Sequence, residues 1–345
     1  MGDPTRATIA RKFSEERVYA LRRESGIVEL GRRRAHRPPA PIEPQTGETS
    51  LPLDLSAVER MGSLELQART VVDSVATGRH LSSSRGFSIE FAQYREYTPG
   101  DDLRYVDWKV FGKTDRVYLK QFDDETNFGC QILLDASESM AFQSKEAPVS
   151  KFGYARLLAA CLGYVVIQQQ DAVRLSTFRG GVTPGPTFAK SWPAYRQMLA
   201  EVEAERPTGA SRFAHSLMEA AERLTRRSVV VVVSDGLDEL PAVIEGLRQL
   251  RFRRHDVLLV QVLDAWERTF PLTQWTQFEG LEALPQLTVD ARAIREVYLA
   301  EYRVFQTGLH EACLELNIDL FAVSTDMPLD HTLRAVIQRK PGLLP

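Results

Sequence analysis

Cysteine is scarce: Cys130, Cys161 and Cys313 are the three in 345 residues, far apart and odd in number. That argues against a disulfide framework and fits reduced, buried thiols. The six histidines are scattered, with no His-Glu-x-x-His motif and no Cys/His zinc spacing. No uninterrupted apolar run reaches the ~18 residues that cross a bilayer. Met1 to Lys12 holds basic residues but no apolar core or cleavage site, so it does not read as a signal peptide. A cytoplasmic location is therefore expected. Positive charge is not in excess either: the formal net charge is −3, which disfavours a globally basic nucleic-acid binder while leaving room for a local patch. Gly-x-Ser-x-Gly is absent, so no nucleophile elbow presents itself.

What is present is an ordinary soluble composition, 43% hydrophobic and 26% charged. A chain of this length can bury a large core without disulfide or metal staples. Residues 1–53 read as a mobile basic tail and then a linker. Arg32, Arg33, Arg34 and Arg37 form a charge run, and Ser14 to Arg23 can form a helix. Pro38, Pro39, Pro41, Pro44 and Pro52 stiffen the linker. Residues 54–128 read as a helix and β-hairpin segment. Asp54 or Ser56 caps a helix with Val58, Met61, Leu64, Leu66, Val71 and Val72 on its apolar face and Gly78 as its stop. Phe87–Tyr97 and Val117–Phe122 are expected strands, with turn chemistry at Pro99-Gly100-Asp101-Asp102.

From residue 129 to 345 the pattern becomes regular. Strands are expected at 132–134, 172–178, 229–233, 257–263 and 318–324. Helices are expected at 152–170, 192–205, 212–225, 239–250, 291–316 and 329–338, with a small β excursion near 270–290. The unbroken valine run Val229–Val233 suits a strand covered on both faces. Strands alternating with helices imply βαβ units, hence an α/β fold with a mainly parallel sheet flanked by helices.

Ligands of such sheets bind beyond the carboxyl ends of the strands. Three loops there carry oxygen-rich sequences: Asp135-Ala136-Ser137-Glu138-Ser139, Pro207-Thr208-Gly209-Ala210-Ser211 and Ser234-Asp235-Gly236. A hard divalent cation takes oxygen ligands in near-octahedral geometry and usually keeps waters. Asp135, Ser137 and Ser139 alternate along an extended segment, so their oxygens can face one point. Ser211 adds a hydroxyl, against the plainer reading of a helix N-cap, and Asp235 adds a carboxylate, directly or through water. Two carboxylates on a divalent ion leave it electrophilic enough to accept an acidic group from a partner. Mg²⁺ is the expected ion, with Mn²⁺ or Ca²⁺ as substitutes.

Asp-x-Ser-x-Ser after a buried strand, with a later Asp-Gly, resembles the metal-ion-dependent adhesion site of von Willebrand factor type A domains. Upstream stand Gly86-Phe87-Ser88-Ile89-Glu90-Phe91, Tyr94-Arg95-Glu96-Tyr97, Pro99-Gly100-Asp101-Asp102, Arg104, Val106-Asp107-Trp108 and Thr114-Asp115-Arg116. Together these resemble the signature of the bacterial domain-of-unknown-function-58 family over roughly residues 54–340. The resemblance implies a type A-like, Rossmann-like fold and association with MoxR-type AAA+ ATPases in chaperone-like or cofactor-insertion roles. Type A domains usually carry Gly-Thr in the middle loop, where this chain has Ala210-Ser211; serine keeps the hydroxyl but not the methyl that restricts its rotamer.

The expected function is a non-enzymatic, metal-dependent protein interaction module whose partner is a MoxR-type AAA+ ATPase or its client, without nucleic acid and without a membrane span. Two other classes compete. One is a Mg²⁺-dependent phosphohydrolase with Asp135 as nucleophile, although Ser137 stands where such enzymes need a second aspartate. The other is a nucleic-acid or membrane tether through Arg32–Arg37. Phe111-Gly112-Lys113-Thr114 is not a phosphate loop, because position 107 is Asp and the next element is a strand instead of a helix. The polar, aromatic run Asp101 to Trp108 reads as a salt-bridged turn, and His215 and His310 as structural helix residues.

Overall fold

The computed structural model describes residues 54–77, 129–183, 187–280 and 287–339, and the backbone of three further strands at 6–9, 91–96 and 118–122. In chain order the elements are β1 (Arg6–Ile9), α1 (Leu55–Glu59), α2 (Leu64–Thr77), β2 (Phe91–Glu96), β3 (Tyr118–Phe122), β4 (Gly129–Asp135), α3 (Lys151–Gln168), β5 (Ala172–Phe178) and α4 (Trp192–Ala204). They continue with α5 (Phe213–Arg223), β6 (Ser228–Ser234), α6 (Leu240–Phe252), β7 (Asp256–Leu263), α7 (Ala265–Thr269), β8 (Trp275–Gly280), β9 (Leu287–Asp290), α8 (Ala291–Glu315), β10 (Asp319–Ser324) and α9 (Leu329–Arg339). The chain divides into two compact units, Arg79–Phe128 and the remainder.

In the larger unit a five-stranded sheet runs β10-β7-β6-β4-β5, with every neighbouring pair parallel. The strand period of two explains why both faces are apolar. On β6, Val231 and Val233 pack into one cluster with α2, α3, α4 and α9, while Val230 and Val232 pack into another with α5, α6 and α8. This is the α/β, mainly parallel sheet flanked by helices that the alternation of elements implied. The three cysteines are free and buried. Burial, with Asp171 behind it, pushes the Cys130 thiol up to about 12, so this thiol is inert at neutral pH.

The helices α1 and α2 belong to this unit, whereas the sequence reading grouped them with the neighbouring hairpin segment. The reason is their apolar stripe: Leu64, Ala68, Val71, Val72 and Val75 are buried in the same cluster as α3. The smaller unit holds β2 and β3, paired antiparallel, at the two expected strand positions. Gly78, the run Gly86–Glu90 and the Asp101–Trp108 turn lie outside the described residues.

The β excursion is an antiparallel pair of β8 and β9, extended by β1 running parallel to β8. The strand Arg6–Ile9 was not expected within the basic tail, because four residues among arginines are too few to display a strand period. The helix expected at 14–23 and the Arg32–Arg37 run lie outside the described residues. Among the described residues no helix is long and apolar enough to cross a membrane.

Helices α5 and α6 meet closely at Gly246. A Cβ there would stand 2.8 Å from the Leu217 Cβ and 3.0 Å from the Ala214 carbonyl oxygen. Helix propensity alone favours Gly→Ala by about 1 kcal/mol, but overpacking against a fixed backbone costs about 1–3 kcal/mol. Gly246→Ala is therefore expected to lower the thermal midpoint, as read by circular dichroism; an unchanged or raised midpoint would show that the two helices separate freely.

Candidate functional site

The sheet order reverses at β4. The connection from β4 leads outward to β5, and the next strand, β6, returns to the other side of β4. Side chains beyond the carboxyl ends of β4 and β6 thus face the crevice where open α/β sheets hold ligands. Asp135 ends β4 and Ser234 ends β6, so the first and third expected loops lie side by side.

Asp135 is wholly buried. Its Oδ1 accepts the Ser137 amide at 2.9 Å, which folds the chain back on itself, and its Oδ2 accepts the Ser234 hydroxyl at 2.6 Å. The Ser137 and Ser139 hydroxyls lie 3.0 Å apart; the expected neighbours do meet, but through the turn of 3₁₀ helix Glu138–Ala141 that Ser137 opens, not through an extended alternation. The second loop docks on the first through the backbone. The Thr208 amide donates to the Ala136 carbonyl and the Glu138 amide to the Gly209 carbonyl. Gly209, at φ +75°, takes the left-handed conformation this docking requires. Ser211 is buried at the end of that loop. It is not the cap of α5: the N-cap position is Arg212, and Asp238 Oδ2 accepts the Ala214 amide in the first turn.

Asp235 is buried too, but its carboxylate is already engaged. Oδ1 accepts the Leu237 amide at 3.2 Å, and Oδ2 accepts from Lys151 Nζ at 2.9 Å. Lys151 opens α3 behind the N-cap Ser150 and is itself wholly buried. The same ammonium donates to Glu267 Oε1 at 2.6 Å and lies 5.9 Å from the centre of the Phe142 ring. Glu267 Oε2 closes a capping box on α7 by accepting the Asp264 amide at 2.8 Å. Asp264 in turn accepts from the amides of Trp266 and Ser144 and from the Thr325 hydroxyl. One polar network thus runs across the ends of β6, β7 and β10.

The sequence reading missed Lys151, Asp264 and Glu267. Two signals were available: a lysine at the head of a largely apolar helix, and the spacing Asp264-x-x-Glu267, which is a capping-box pattern.

The electrostatics follow from burial. Burial, and behind it Asp235, pushes the Asp135 carboxyl up to about 7, against the pull of its hydrogen bonds from Ser234 and Ser137. Burial works against the charge on Lys151, yet Asp235 and then Glu267 outweigh it and hold its pKa above the ordinary lysine value. Burial raises Glu267, with Lys151 opposing. Four buried carboxylates, Asp135, Asp235, Asp264 and Glu267, face one buried ammonium. Among the described residues no group of three or more His, Cys, Asp or Glu gathers as a metal site; the expected donor set is two carboxylates and serine hydroxyls.

An open parallel sheet with helices on both faces and buried oxygen donors gathered at its switch point defines the class: an α/β protein of the parallel-sheet type. The sequence profile of the family described as Protein of unknown function DUF58 matches residues 93–307, and the chain belongs to that family. It is 26% identical over 292 residues to uncharacterized proteins of Mycobacterium bovis and Mycobacterium tuberculosis, covering 82% of this chain and 89% of theirs. Among solved structures, BatB from Bacteroides thetaiotaomicron superimposes with a TM-score of 0.43 at 14% identity, over 63% of this chain and 98% of BatB. The VWA domain of SpRpn10 gives 0.39 at 12%, over 61% and 94%.

A carboxyl whose pKa is raised by folding makes the fold less stable wherever it is ionised. Without metal, Asp135 therefore costs stability progressively as pH rises from about 4 to about 7. Asp135→Asn removes that titration. In EDTA, the wild type is expected to lose more stability than the variant between pH 5 and pH 8, measured by urea unfolding; equal losses would refute the raised pKa.

Proposed function

We propose that the carboxyl pole is a divalent-cation site through which the protein grips an acidic group of a partner protein. The observation that carries this reading is the convergence of Asp135, Ser137 and Ser139 at the switch point beside Asp235, at an end of the sheet where buried carboxyl groups outnumber buried ammonium groups. The donors are hard oxygens suited to Mg²⁺, and Asp135 is wholly buried with neutral donors, the Ser137 amide and the Ser234 hydroxyl, on its two oxygens. Asp135, Ser137 and Ser139 would hold the ion, with Ser211 from the docked loop. Asp235, whose oxygens are taken by Lys151 and Leu237, would act through water. A bound divalent ion would supply a Lewis-acidic anchor for a carboxylate.

The chain's own residues do the rest. The backbone bonds of Thr208 and Glu138 hold the loops in register, and the Ser234 hydroxyl orients Asp135. Ser137 has no acidity to serve as a general acid near neutral pH, which favours interaction over phosphoester hydrolysis. The family resemblance supports a MoxR-type AAA+ ATPase, or that ATPase's client, as partner.

Calorimetric titration of Mn²⁺ or Mg²⁺ is expected to show one site in the wild type, weakened more than about 100-fold in Asp135→Ala, since loss of even an outer-shell group costs about 10–100-fold. A purified MoxR-type ATPase is expected to be retained by the wild type with Mg²⁺ but not with EDTA or by Asp135→Ala. Retention that ignores both chelation and the substitution would sink this reading.

A further inference from the structure

Lys151 is the one lysine or arginine among the buried residues described. It is not placed to receive a ligand. It bridges two carboxylates that arrive from segments 84 and 116 residues away, Asp235 after β6 and Glu267 on α7. A lysine needed only for packing would not be drawn into two charge-assisted bonds at full burial, because desolvating an ammonium is costly unless carboxylates answer it.

We propose that Lys151 is a resident counter-cation and positioning residue. It holds the pole together before metal arrives, and by occupying Asp235 it keeps divalent affinity low enough for the ion to remain available to a partner's carboxylate. The inference rests on the metal reading of the pole. Its physical content is a competition for one carboxylate. While Lys151 holds Oδ2 and the Leu237 amide holds Oδ1, Asp235 gives a divalent ion little of its charge. Glu267 modulates this competition. It shares the ammonium, so it draws Lys151 away from Asp235, and its other oxygen is pinned by the capping box of α7. That helix is in turn fastened to α8, where the Tyr298 hydroxyl donates to the Glu267 carbonyl and Arg295 Nε to the Phe270 carbonyl. The state of Asp235 is thereby tied to α7 and α8, far from it in sequence.

Opposite changes of charge should move metal affinity in opposite directions. Lys151→Met frees Asp235 and adds negative charge at the pole. It is expected to tighten Mn²⁺ binding about tenfold or more by Coulomb attraction, while lowering the thermal midpoint in EDTA and making it rise with added Mn²⁺ far more than the wild type's does. Glu267→Gln leaves the ammonium wholly to Asp235 and is expected to weaken Mn²⁺ binding several-fold. A merely structural role would weaken binding in both variants. Calorimetric Mn²⁺ titration and thermal unfolding, with and without EDTA, read both arms.

Binding that weakens in both variants, or is unchanged in both, overturns the inference while leaving the metal reading intact. Absence of Mn²⁺ uptake by the wild type ends the metal reading and this one together. If Lys151→Met folds only when Mn²⁺ is present, the counter-cation role is supported directly. If it does not fold even then, the direction of the Glu267→Gln change decides.

Discussion

Burying charge is the constraint around which this protein is built. Asp135, Asp235, Asp264 and Glu267 are all withdrawn from water at one end of a parallel sheet, and Lys151 is the single ammonium set among them. In a medium of low polarity each unpaired carboxylate is costly. The surrounding structure directs its polar groups accordingly: the Ser137 amide and Ser234 hydroxyl to Asp135, the Leu237 amide to Asp235, and the Asp264 amide to Glu267. The three amides sit just past the ends of β4, β6 and β7, where backbone N–H groups are free of the ladder, and the Ser234 hydroxyl projects from the last residue of β6.

The sheet makes such a concentration of charge tolerable. Its two apolar clusters, one on each face, supply the burial that the pole does not, and they reach almost to the carboxyl ends of the strands. Leu134 and Val233, both fully buried, immediately precede Asp135 and Ser234 in the chain. The polar network is therefore rigid on its inner side. The proposed cation site would draw on this arrangement, because donors fixed in advance need not be ordered on binding.

Much of this was legible in the sequence, and the reasons are particular. Val229–Val233 could only be a strand covered on both faces, and its place between expected helices pointed to the parallel class. Asp135, Ser137 and Ser139 were legible as neighbours, but a turn of 3₁₀ helix after β4, and not the strand period of two, brings them together. What could not be read was pairing across long separations. The place of Lys151 at the head of a largely apolar helix hints that it turns inward, but nothing local names Asp235 and Glu267 as its partners, because they are brought together only by the crossovers of the sheet. The strand Arg6–Ile9 was hidden for the opposite reason: its signal is local but too short to stand out. The grouping of α1 and α2 with the main unit was likewise set by a tertiary partner, the face of α3, which the sequence does not announce.

The same logic says why a lysine, and not an arginine or a neutral donor, suits position 151. Asp235 Oδ2 and Glu267 Oε1 need a compact charge reaching both from the first turn of α3, and an ammonium offers three donors from one point where a guanidinium offers a planar fork. A neutral donor would satisfy the hydrogen bonds but leave two carboxylates in mutual repulsion inside the protein. The ammonium reaches both carboxylates at once, at 2.9 and 2.6 Å, from the first turn of α3.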